Sequence, residues 1–252
     1  MLVQVNFLGE ASGCYSGGMQ SQSSQSNKAR RRKEGLPAIT PEAICDAAIS
    51  LTKEKGLEGW SMRDLAAELD AYVRVIYYHV GDRDAVTSLV IERVLSEVAI
   101  PSAASGWRAW FDDLLRGLRD VMRRYPGVAK RFALVGPGGH AARAIAETGI
   151  SLLREAGFGE LSVPAFSLLL EQTCQFVAQE DDRDALPSLR KSAASEYAAC
   201  AGVPGGMGDL SKSVAHATTS ESSLRRYYDD SFDFFLRTVL DGLEVRLSNM
   251  RG

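Results

Sequence analysis

The chain has 252 residues, 45% of them hydrophobic and 24% charged, with a formal net charge of −3. That length allows a sizeable core in one large or two small domains, while the mildly acidic balance does not by itself announce a nucleic-acid partner. Cys14, Cys45, Cys174 and Cys200 stand far apart without a Cys-x-x-Cys pair or nearby histidine, which argues against a metal site and for a reducing cytosol, and no apolar run reaches the roughly 18 residues of a membrane span.

The opening MLVQVNFLG lacks the basic start and length of a signal peptide, so a cytoplasmic protein is expected. Residues 9–27 are rich in Ser, Gln and Gly and are expected to be disordered; Met19 is an alternative start to Met1. Lys28, Arg30, Arg31, Arg32 and Lys33 then place five positive charges in six residues. Such an arm can follow phosphates or enter a minor groove, although a solubilising tail has the same composition. From Lys28 to Val98 there are 11 Lys or Arg against 12 Asp or Glu, so the arm would supply a field that the body lacks.

The spacing predicts a first helix capped by Thr40, with Pro41 in its first turn, Glu42 at its positive end, and Ile44, Ala47, Ala48, Leu51 and Ile49 buried. Gly56 ends it, and Leu57, Trp60 and Met62 close a small core, Trp60 by packing. Ser61 and Asp64 have the spacing of a capping box and open a second helix, with Leu65, Ala66 and Leu69 on one face and Arg63, Asp64 and Glu68 on another. It should end near Asp70. A third helix runs from Val73 to Val80 before Gly81, with Ile76 and Val80 inward, and Asp82 caps its successor. Taken alone, Val73 to Tyr78 alternates like a strand, but a strand needs a partner and no second such run exists.

The run from Ile39 to Arg83, with Thr40-Pro41-Glu42, Ala47-Ala48, Gly56, Ser61 to Ala66 and Tyr77-Tyr78-His79-Val80, resembles the TetR family of bacterial transcriptional repressors. The resemblance implies an all-α homodimer with a three-helix DNA-binding domain and a larger helical domain for a small inducer and dimerisation. Two positions depart from the family pattern: Asp70 replaces the usual turn Gly, and Tyr72 replaces a capping Ser or Thr. Asp tolerates left-handed backbone, so the turn should survive.

In such folds base edges are met at the head of the reading helix, here Tyr72, Val73 and Arg74, and a guanidinium can bond guanine twice. Tyr77, Tyr78, His79, Thr40, Ser61 and Arg83 are candidate phosphate contacts. With Arg31 of the arm and Met62 beside Ser61, they complete the expected DNA-binding set. The partner would be a double-stranded operator. A structural role is the competing reading of His79.

A helix with Val86, Leu89, Val90, Val94 and Leu95 should run from Asp84 to Ile100, and the break at Pro101 divides the chain into 1–36 (extension), 37–100 (helix-turn-helix domain) and 101–252 (effector and dimerisation domain). The second domain opens on an amphipathic helix with Trp107, Trp110, Phe111, Leu114, Leu115, Leu118, Val121 and Met122 at three- and four-residue spacing. Gly136-Pro137-Gly138-Gly139 reads as a turn, since it lacks a following Lys-Ser or Lys-Thr. Helices are expected at 141–156, 163–179, 186–200 and 222–247. Glu180-Asp181-Asp182 reads as a solvated loop and 202–220 as a mobile loop.

By resemblance, helices 163–179 and 222–247 would pair with their symmetry mates in a homodimer. An apolar pocket lined by Trp110, Phe111, Phe132, His140, Glu171 and Gln175 would take a small apolar or aromatic effector. With only His79, His140 and His216, and no Gly-x-Ser-x-Gly or metal-ligand spacing, no enzyme, cofactor or metal is expected. The competing function is a ligand-independent DNA-binding activator or architectural protein.

Overall fold

The computed structural model describes residues 38–136 and 138–251, and every regular element among them is helical. The elements are α1 Pro41–Lys55, α2 Met62–Glu68, α3 Val73–His79, α4 Arg83–Ser96, α5 Gly106–Met122, α6 Val128–Val135, α7 His140–Leu153, α8 Ser162–Ala185, α9 Pro187–Ala198, α10 Gly206–Ala217 and α11 Glu221–Arg251. Short turns of tighter or wider helix, Ala103–Ser105, Arg154–Phe158 and Gly159–Leu161, join some of them. The basic arm, with Arg31, lies outside the described residues, as does Pro137.

Local chemistry sets the starts of three of the first four helices. Thr40 Oγ1 accepts from the Ala43 amide at 3.2 Å, and Pro41 follows at the position where its missing N–H costs nothing. Ser61 and Asp64 close a reciprocal capping box, and Asp82 Oδ1 accepts from Ala85 at 2.9 Å. Tyr72 contributes no side-chain cap to α3. That short helix is held instead by Val75 and Ile76, both buried against the other helices. Packing thus overrides the strand propensity of its sequence.

One continuous apolar core runs from Ile44, Leu57, Leu65 and Ile76 through Val86, Val90 and Val94 into Trp110, Leu114, Leu118 and Leu169. Helix α4 therefore serves both halves of the chain. Glu92 Oε1 accepts from the Ala141 amide at 2.9 Å, Glu97 accepts from the Tyr125 hydroxyl, and Asp84 pairs with Arg131 at 2.6 Å. The Leu57 amide also donates to the Pro126 carbonyl at 2.7 Å, so the loop after α1 is bonded directly to the loop before α6.

Several sequence expectations need correction. Residues 206–217 are helical, because Leu210, Ser211, Val214 and Ala217 recur at three- and four-residue spacing and pack on α9 and α11. Helix α4 ends at Ser96, short of Ile100, and α7 gives way at Arg154 to a wide turn in which Gly157 has φ 105°. Helix α8 extends to Ala185, so Glu180-Asp181-Asp182 is helical rather than a solvated loop. Glu180 is fully buried, with Arg119 Nη2 at 2.8 Å and Arg123 Nε at 2.9 Å. The Arg123 contact lies in ion-pair range but off the line of a hydrogen bond, leaving Oε2 without one. Asp181 accepts from the Gly127 amide at 2.9 Å, and Gly127 reaches this position with φ 86°, which only glycine adopts readily.

Candidate nucleic-acid interface

The turn between α2 and α3 rests on Asp70, the one non-glycine residue with positive φ (45°) among those described. Its amide donates to Ala67 and that of Ala71 to Ala66, which closes α2 and sends the chain into α3. An aspartate bears this left-handed conformation with less penalty than most residues. The departure from the usual Gly therefore leaves the turn intact.

Helix α3 splits by face. Val75 and Ile76 are buried, and Val73 and Val80 pack against the core edge, so Ile76 and Val80 face inward as expected and Val75 joins them. The other face presents Tyr72, Arg74, Tyr77 and Tyr78 to solvent, with Tyr78 71% exposed. His79 is half-buried, its ring edge-on to Tyr78 at 5.3 Å between centroids. Large exposed aromatics beside a free guanidinium are costly to leave in water without purpose, and suit a surface that closes on a ligand.

Beside this face lies a shallow depression lined by Ser61, Met62, Arg63, Val73 and Tyr77. Ser61 belongs to it, but its hydroxyl donates to Asp64 Oδ2 at 2.7 Å and accepts from the Asp64 amide at 3.2 Å. The hydroxyl bond, together with the Ser61 amide donating to the same Oδ2 at 2.7 Å, holds the Asp64 carboxyl below its usual range. Arg63 is exposed here beside the expected set, on the polar face of α2 that its spacing had indicated. Thr40 stands apart from this depression, occupied by its cap.

Two expected DNA contacts change role. Met62 is buried, contributing its side chain to the core and only a floor to the depression. Arg83 turns inward: its Cζ lies 3.3 Å from the centroid of the Trp60 ring, Nη2 donates to the Leu57 carbonyl, and Nη1 is buried without a partner. Burial pulls its pKa below the usual guanidinium range, with Glu58 opposing. Its group is spent on the joint between α1, α4 and the loop at Leu57. Trp60 is buried as expected, and its Nε1 donates to Thr52 Oγ1 at 3.0 Å.

The six expected effector contacts are not brought together. Trp110, Phe111 and Phe132 are buried in packed interior, with Trp110 edge-on to Phe111 and Nε1 donating to the Pro101 carbonyl. At Gly149 an added Cβ would lie 3.0 Å from both the Trp110 and Phe166 rings, so that region is filled by rings rather than open. His140, Glu171 and Gln175 are exposed, the last two on the outward stripe of α8 with Val163 and Leu168. Polarity suggested that they line a pocket; the helix rotation set by Leu169, Leu170 and Val177 turns them to solvent.

Among the described residues no group of His, Cys, Asp and Glu could hold a metal ion, and no helix is long and apolar enough to cross a membrane. Residues 100–247 match the family described as Tetracyclin repressor-like, C-terminal domain. Over 246 residues the chain is 27% identical to the HTH-type transcriptional repressor DrrR1 of Streptomyces coeruleorubidus, spanning 88% of this chain and 84% of that one. An HTH-type transcriptional regulator of Saccharopolyspora erythraea is 29% identical over 177 residues, covering 66% of this chain and 75% of its own. The crystal structure of the Streptomyces coelicolor TetR family protein ActR in complex with (S)-DNPA superposes with a TM-score of 0.64 at 25% identity, covering 82% of this chain and 98% of that one. With the family match extending over more than half of its length, behind a helix-turn-helix whose outward face is open, the chain belongs to the TetR family of transcriptional regulators.

Proposed function

We propose that the protein is a cytoplasmic, ligand-responsive repressor that binds a palindromic operator as a homodimer and leaves it when a small apolar or aromatic effector binds. The observation that carries this reading is the outward face of α3, where Tyr72, Arg74, Tyr77 and Tyr78 are all exposed beside Arg63 and Ser61. Arg74 reads a base, Tyr77, Tyr78 and His79 meet phosphates, and Val73 meets the groove edge. The repressor assignment is supported by the name of the DrrR1 relative, and binding of a small molecule by the ActR complex with (S)-DNPA.

Dimerisation is supported by large apolar side chains left open on two helices. Phe234 is 74% exposed on α11 and Val163 and Leu168 are exposed on α8. Along α11, Phe234 and Val245 are exposed and Phe235 and Val239 are only partly buried, so an apolar edge continues beside the inward stripe of Phe232, Leu236, Leu240, Leu243 and Leu247. A second copy of the same two helices covers this surface and sets two reading heads about one helical turn of DNA apart.

The test is selection of bound DNA from a random pool by the purified protein. A palindrome with half-sites about one turn apart is expected. Arg74→Ala should weaken operator binding by about 1 to 3 kcal/mol and relax preference at one base pair. Equal losses on operator and random DNA would remove Arg74 from base reading, and no enriched sequence would remove the operator altogether.

A further inference from the structure

A cavity of about 510 Å³ lies between the end of α8, helices α9 and α10, and the first turns of α11, well away from the packed rings at Trp110. Its volume falls in the range that takes a small ligand. The walls are mostly apolar, with Leu189, Ala194, Tyr197, Val214, Leu224 and Tyr227 among them. Helix α9 buries no residue at all, so the apolar side it turns to this space is left unfilled by protein.

An independent observation comes from the wall itself. Tyr228 lines the cavity, is 2% exposed, and its Oη is shielded from solvent without a hydrogen-bond partner. Leaving a buried hydroxyl unbonded is unfavourable, and an acceptor inside the cavity would relieve it. Burial raises the Tyr228 pKa, with Asp184 adding to it and Arg190 and Arg183 opposing, and at neutral pH the hydroxyl is a donor, as tyrosine ordinarily is. Arg183 also lines the cavity, exposed at its rim, with its Cζ 5.9 Å from the Tyr228 ring centroid and no ion pair among the described residues. Arg190 lines the cavity beside the Tyr228 hydroxyl, outside full hydrogen-bond geometry, and its guanidinium is held by Asp184 at 3.1 Å.

We propose that this cavity binds an aromatic molecule bearing one anionic group, its rings among Tyr197, Tyr227, Leu189 and Val214, its anion at Arg183 and an oxygen accepting from Tyr228. The proposal rests on the ligand-responsive reading above and gives that reading a location and a ligand class. The same stretch of α8 also reaches toward the DNA-binding half. Asp182, another wall residue, pairs with Lys130 at 3.1 Å; Asp181 holds the Gly127 amide; and the neighbouring Pro126 carbonyl accepts from Leu57. A ligand that displaces the last turn of α8 therefore pulls on the loop that anchors Arg83 at the head of α4.

The probe is 8-anilinonaphthalene-1-sulfonate, an aromatic sulfonate whose fluorescence reports binding, titrated into the full chain and into Ala194→Trp, Tyr228→Phe and Arg183→Ala, with Tm recorded for each. One saturable site per chain is expected, weakened about tenfold or more by Ala194→Trp, which fills the space, and about threefold to tenfold by each of the other two. Equal affinity in wild type and a folded Ala194→Trp overturns the site, as does the absence of saturable binding. If Ala194→Trp does not fold, unchanged affinity in both Tyr228→Phe and Arg183→Ala overturns it. Operator binding by the same variants without probe should stay at the wild-type level, so a missing site and a failed regulator are told apart. Saturable binding that obeys the variant pattern but leaves operator affinity untouched supports the site and overturns ligand-responsive release.

Discussion

Replacing Arg83 with Ala separates the position that sequence suggested for this residue from the one it occupies. Its guanidinium covers the Trp60 ring at 3.3 Å and bonds the Leu57 carbonyl. A partly desolvated cation–π contact contributes about 1 to 2 kcal/mol, and a charged hydrogen bond about 1.5 to 3 kcal/mol. Against these, Nη1 is buried without a partner, and its desolvation cost of about 1 to 3 kcal/mol disappears with the side chain. The net expectation is a loss of about 2 kcal/mol of folding stability. Urea unfolding followed by circular dichroism measures it, and Arg83→Lys, which keeps charge but not the planar stack, should lose a smaller amount. Affinity for random DNA should be unchanged wherever both proteins are folded. Wild-type stability together with a uniform loss of affinity and a shallower salt dependence would refute the inward role and restore a phosphate contact.

Glu180→Ala leaves Arg119 buried with only Asp229, at 2.8 Å, to balance it, and should cost about 3 kcal/mol or more, read from the unfolding midpoint. A loss below about 1 kcal/mol would mean that water or Asp229 satisfies the guanidinium. Asp181 is pushed up to about 6, chiefly by burial and against the pull of the Gly127 amide. Its folded pKa thus lies above its unfolded one, so its contribution is fully present below about pH 4 and is lost as pH rises through about 6. Asp181→Asn should therefore gain about 2 kcal/mol over wild type at pH 8 and almost nothing at pH 4; a pH-independent difference contradicts the burial argument. At the turn, Asp70→Val should lose about 1 to 2 kcal/mol because a β-branched residue resists φ 45°, whereas Asp70→Gly should stay within about 1 kcal/mol of wild type. Equal melting of the two variants would show that the backbone there is not constrained.

What the sequence determined by itself is local and periodic. The caps at Thr40, Ser61 and Asp82 are short-range hydrogen bonds, so three or four adjacent residues specify them. The buried stripe of α5 follows from a repeat of three and four, and the turn at Asp70 from the few residues that accept left-handed backbone. The same locality made the open face of α3 legible at Arg74, Tyr77 and Tyr78. Only tertiary structure decided what lies across long sequence separations. Arg83 could pair with phosphate or with Trp60, and only the packing of α4 beside the Leu57 loop chose the latter. Glu180 and Asp181 read as solvated until Arg119 and Gly127 were brought against them. Trp110, Phe111 and Phe132 could equally line a pocket or fill a core, because apolarity states that a side chain leaves water but not whether protein or ligand replaces it. The cavity at Tyr228 depends on where α9 and α10 settle against α11, an arrangement of helix axes that no residue pattern within one helix encodes.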